Sequence, residues 1–133
     1  MLKNKWILLL SSVLMFLACD KTSPTPLPEE VKTTILSPND GTIFDKGDTI
    51  NIKVDASVEN WELHGYELYL YDTVSTDVLF SAAAHWHDGQ ARIDTVYVNE
   101  VTSHINARLE IRFFIDHLGN YKSEQRNLRL LPI

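Results

Sequence analysis

Between residues 50 and 115 the chain alternates apolar and polar side chains with a period of two, and this alternation constrains its fold more than any other feature. Ile50, Ile52, Val54 and Ala56 are interleaved with Asn51, Lys53 and Asp55; Tyr66, Leu68 and Leu70 with Glu67, Tyr69 and Tyr71; Leu109, Ile111, Phe113 and Ile115 with Arg108, Glu110, Arg112 and Phe114. Successive side chains of an extended backbone point to opposite faces, so each run predicts a strand with one face on a core and the other toward water. Shorter runs at Thr33 to Leu36, Val78 to His85, Ala91 to Val98 and Gln125 to Leu130 predict four further strands. Turn chemistry separates them at Asn39-Asp40-Gly41, Lys46-Gly47-Asp48, Asp88-Gly89 and Leu118-Gly119-Asn120. Beyond the N-terminus no sustained helical stripe interrupts the series.

About seven short strands punctuated at intervals of roughly ten residues predict an all-β chain, an antiparallel β-sandwich with immunoglobulin-like packing over residues 32–133. A chain of 133 residues has room for one such domain and no second. Its twelve basic and eighteen acidic residues, with no basic run beyond the first few positions, exclude a footprint for nucleic acid. The single cysteine, Cys19, permits no internal disulfide, so the core alone must stabilise the fold.

The N-terminus reads as an address. Lys3 and Lys5 precede an apolar run from Trp6 to Leu17, broken only by Ser11 and Ser12, which is the layout of a signal peptide over residues 1–18. As a helix that run spans about 18 Å, well short of the roughly 30 Å hydrocarbon core, so it is not a membrane span. Phe16-Leu17-Ala18-Cys19 resembles a bacterial lipobox. That resemblance implies acylation of Cys19, a lipid anchor, and a place in the bacterial cell envelope, on the outer membrane with its face left open. Cleavage before Cys19 removes two lysines and leaves an acidic body. Residues 19–31, with Pro24, Pro26 and Pro28, then read as the lipidated cysteine and an extended tether that bears no chemistry.

The run Ser37-Pro38-Asn39-Asp40-Gly41-Thr42-Ile43-Phe44, continued by Lys46-Gly47-Asp48-Thr49-Ile50, resembles the opening of bacterial immunoglobulin-like domains, and Asp116-His117-Leu118-Gly119-Asn120 is similar to the phrase that closes their penultimate strand. More narrowly, the chain resembles histidine-bearing immunoglobulin-like envelope lipoproteins of the Bacteroides type. That group implies a non-catalytic lipoprotein and supplies no catalytic residues.

The histidines are the residues best suited to chemistry. His85 and His87, at i and i+2, place both rings on one side of an extended segment. In an antiparallel sandwich successive connections alternate between the two ends, which gathers His64, His85, His87 and His117 at one pole and puts His104 at the other. Neutral imidazoles with nearby carboxylates suit zinc or copper; solvated or hydrogen-bonded histidines fit the same pattern. Asp88 and Asp116 are expected to serve their turns. Tyr69, Tyr71 and Trp86 are candidates for a surface that binds an envelope protein or a glycan, or for ordinary packing. No nucleophile elbow, phosphate loop or free thiol points to an enzyme. Three functions therefore stay open: a non-catalytic binding module, a zinc or copper binding lipoprotein, and a structural spacer.

Overall fold

The computed structural model describes residues 26–133. The expected signal peptide over 1–18, Cys19 and the first part of the tether lie outside the described residues. The rest is an all-β sandwich. Its strands are β1 (Lys32–Ser37), β2 (Ile43–Phe44), β3 (Thr49–Ser57), β4 (Tyr66–Asp72), β5 (Val78–Ala84), β6 (Gln90–Val98), β7 (Ile105–Phe114) and β8 (Tyr121–Leu130). One sheet has the order β1-β3-β6 and the other the order β2-β8-β7-β4-β5. The chain crosses between sheets from β1 to β2, β2 to β3, β3 to β4, β5 to β6 and β6 to β7, which is the connectivity of the immunoglobulin-like class.

The alternating residues form the core. Ile50, Ile52 and Val54 of β3 face Leu68 and Leu70 of β4 and Leu109, Ile111 and Phe113 of β7, and all eight are fully buried. Each such side chain contributes about 1.5–3 kcal/mol of transfer free energy, so the two central strands and their neighbours hold the sheets together without a cross-link. Long unbroken ladders carry the pairing. The β3–β6 ladder runs from Thr49↔Val98 to Ser57↔Gln90, and the β7–β8 ladder from Ile105↔Leu130 to Phe114↔Tyr121.

The structure adds detail where the alternation is short or broken. Ile43–Phe44 pairs in parallel with Arg129 and Leu130, an eighth strand too brief to show a period. The last strand starts at Tyr121 rather than Gln125, because Lys122, Glu124 and Arg126 interrupt the apolar pattern on the face that carries Leu128 and Leu130. His85 falls just past the end of β5. Pro26–Val31, assigned by composition to the extended tether, is packed on the domain instead. Pro28–Glu30 forms a 3-10 turn, Pro26 is buried, and Val31 joins the core.

At the pole opposite His64, a fully buried polar residue locks the loops. Asn99 donates from Nδ2 to the carbonyls of Phe44 and Leu131, both at 3.1 Å, and its Oδ1 accepts from the Val101 amide. Its own amide and carbonyl tie to Asp48 and Gly47. Replacing it removes three hydrogen bonds to the backbone, each contributing about 1 kcal/mol. Asn99→Ala is therefore expected to lower unfolding stability by about 3 kcal/mol in urea titration of the full chain, whereas Thr102→Ala, on the exposed part of the same loop, leaves it unchanged.

Candidate metal centre

Three connections meet at one pole: residues 58–65 between β3 and β4, 85–89 between β5 and β6, and 115–120 between β7 and β8. Each presents histidine for a local reason. Leu63, fully buried, pins the first loop, and its backbone pairs with Asp88 of the second. The next residue, His64, is held by its amide, which donates to the Phe114 carbonyl at 2.8 Å. In the second connection Trp86 packs on the core and meets Tyr66 edge-on at 5.5 Å between ring centroids. Because neighbours in an extended segment alternate, this inward Trp86 leaves His85 and His87 on the other side.

The third connection is a loop built around Asp116. This buried carboxylate accepts from the Leu118 amide at 2.9 Å, the Asn120 amide at 3.0 Å and the Asn120 side-chain amide at 2.6 Å. It satisfies its turn as expected, and so fixes the position of His117. Asp88 likewise accepts from the Gln90 amide.

The four histidines of the pole converge. Ring centroids lie 4.6 Å apart for His64 and His87, 4.4 Å for His64 and His117, and 5.3 Å for His87 and His117. One nitrogen from each of these three lies within 4.8 Å of the other two. His64 Nδ1 and His117 Nε2 are 3.2 Å apart, the distance of a hydrogen bond in which one ring donates and the other accepts. His85 stands at the margin, 5.0 Å from His87 and 5.8 Å from His117 by ring centroids, and outside the set of three. His104 precedes β7 at the other end.

The electrostatics favour the neutral form of His64. Burial pushes the His64 pKa below the ordinary imidazole value, and the neighbouring His117 and His87 push it further, against weaker opposition from Glu62 and Asp116. Glu62 also lies 3.6 Å from His87 Nδ1. One half-buried and two exposed imidazoles, with Glu62 beside His87, could hold a divalent transition metal. His64 and His117 also line an open groove together with Pro26, Val58, Trp61 and Ile115.

The aromatic candidates separate. Tyr69 and Tyr71 lie on the outer face of the five-stranded sheet, while Trp86 belongs to the histidine pole. The Arg112 guanidinium sits between the rings of Tyr69 and Tyr121, at 5.5 and 5.2 Å, and pairs with Glu110 at 2.7 Å. This stack is satisfied internally, so Tyr69 serves packing of the sheet surface.

Gly65, which no turn motif marks, sets the geometry. Its φ of +122° is open to glycine alone, and a Cβ there would run into the Ala84 carbonyl and come within 3.0 Å of His85 Cα. Only glycine lets the strand after His64 approach the segment that carries His85 and His87. Gly65→Ala is expected to unfold at lower temperature and to disperse the histidines, seen as loss of the mutual perturbation of their imidazole NMR shifts.

Asp116 gives the pole a pH dependence. Burial alone would raise its pKa, but hydrogen bonds from Asn120, Leu118 and Gly119 outweigh burial and hold it below the ordinary carboxylate value. The unfolded chain then binds the proton more readily, so this contribution is complete above about pH 4 and is lost as the pH falls through the lowered folded value. Acid unfolding of Asp116→Asn should show a shallower loss of stability over that interval than the unaltered chain. No family model matches this chain and no curated protein matches it.

Proposed function

We propose that this chain is a lipid-anchored protein of the bacterial cell envelope whose immunoglobulin-like domain binds a zinc or copper ion at one pole through His64, His87 and His117. The observation that carries the proposal is the convergence of three imidazole nitrogens, from three separate loops, within 4.8 Å of one another. Tetrahedral zinc with bonds of 2.0–2.1 Å places its ligand nitrogens about 3.3 Å apart, and His64 and His117 already stand at 3.2 Å. Coordination replaces their mutual hydrogen bond with two metal bonds. His85, whose ring lies 5.0 Å from that of His87, is the nearest further imidazole, and Glu62 orients His87, as outer carboxylates do for ligating imidazoles. The function is binding, with no catalytic residue assigned.

The anchor belongs to the same proposal. Lys3 and Lys5, the apolar run to Leu17, and a lone cysteine after Ala18 support acylation at Cys19. Recognition of an envelope protein or glycan through Tyr69 and Tyr71 has less support, because the Tyr69 ring is already engaged by Arg112.

Calorimetric titration of the purified full chain with zinc and with copper(II) should give one saturable event. Loss of an outer carboxylate typically costs about 10- to 100-fold in affinity, so His64→Ala, His87→Ala and His117→Ala are each expected to exceed that loss. His85→Ala should weaken binding less, and His104→Ala not at all. Equal effects of His104→Ala and His87→Ala, or no saturable event, would overturn the metal reading and leave the binding module and the spacer. For the anchor, radiolabelled palmitate should enter the native protein in cells and be absent from Cys19→Ala.

A further inference from the structure

Strand β1 runs antiparallel to β3, with Lys32 opposite Ser57, so the chain comes into the domain at the end where β3 finishes. That end is the histidine pole. Pro26 is buried there and shares a groove with Trp61, His64 and His117. The position of Pro26 fixes the distance between the domain and anything attached at Cys19, only seven positions earlier. A fully extended chain covers at most about 3.6 Å per residue, so Cys19 lies within about 25 Å of this pole.

Resting on the anchor proposed above, we infer that the histidine pole faces the lipid surface and docks on it. Reach decides the orientation. β3 has nine residues, and at roughly 3.3 Å each the opposite pole lies about 30 Å beyond the first. A leash of about 25 Å does not let the domain invert and rest on that far end. The residues around the pole suit an interface with lipid. Leu118, at the tip of the β7–β8 loop, is 87% exposed, and Leu27, beside Pro26, is 57% exposed. Two large apolar side chains left in water at the end tied closest to the anchor fit insertion among headgroups. Glu29, Glu30, Glu59 and Glu62 lie in the segments around them, so the surface that fits is zwitterionic rather than anionic. An ion held by His64, His87 and His117 would then sit at the membrane-proximal end, exchanging with donors and acceptors at the bilayer surface.

Acylation leaves no free thiol at Cys19, so an introduced cysteine can carry a fluorophore alone. Glu59→Cys and His104→Cys place the dye at exposed sites on the two poles. The lipidated chain is reconstituted in phosphatidylcholine vesicles bearing a nitroxide on the headgroup. The dye at 59 should be quenched several-fold more than the dye at 104, and adding Leu27→Ser with Leu118→Ser should reduce that preference. Equal quenching at both sites, stronger quenching at 104, or a preference that the two serines leave unchanged would overturn the inference. Flotation of the same vesicles separates the two proposals. A chain that floats but shows no preference retains its anchor and loses only the orientation, whereas a chain that stays in the supernatant loses both.

Discussion

The apolar contact between β3 and β7 is the constraint from which the rest follows. Ile50, Ile52 and Val54 on one strand and Leu109, Ile111 and Phe113 on the other have no exposed surface, and a one-residue slip in either strand would turn its whole set into water. Fixing these two strands fixes the register of their partners, and so decides at which end each connection emerges. The loops at the histidine pole are therefore placed by the core before any interaction among the histidines is counted.

That hierarchy explains what was legible in the sequence. The three strictly alternating runs are central strands, where one face is wholly buried and the pattern has no freedom to blur. Parity along those strands was enough to put His64, His85, His87 and His117 at one pole and His104 at the other. It was not enough to choose three of the four. The closer approach of His64, His87 and His117 depends on Gly65 letting β4 pass the end of β5 and on Asp116 curling the last loop. Asp116 was readable as a turn former. Gly65 was not, because its need is set by a carbonyl on another strand. Asn99 escaped for a similar reason: one asparagine in a polar loop carries no local sign that Phe44 and Leu131 will present carbonyls to it. Polar residues on one face of β8 hid half of that strand, and the apolar anchoring of Val31 was masked by the prolines before it.

The tyrosines illustrate the limit of reading surface chemistry from parity. Alternation correctly turned Tyr69 and Tyr71 away from the core, but it could not show that Arg112 would arrive from β7 to cover the Tyr69 ring. A sheet's outer face is settled by cross-strand neighbours, and these follow from strand order. Trp86, with the same composition-level credentials, went to the interior because its two histidine neighbours lie on the opposite side of the segment.

The three converging histidines come from three loops far apart in sequence, 53 positions separating His64 from His117. His64 and His117 share one hydrogen bond, and burial together with the neighbouring imidazoles penalises protonation of His64. The loops that present them have separate supports: buried Leu63, inward Trp86 and the Asp116 turn. An ion bound to all three would tie those supports together, closing long loops that the unfolded chain would otherwise leave open. Because such an ion binds the folded domain and finds no assembled ligand set in the unfolded chain, its binding free energy adds directly to folding stability. An ion at this pole would thus join loops of the two sheets, and metal affinity and domain stability would become one measurable quantity.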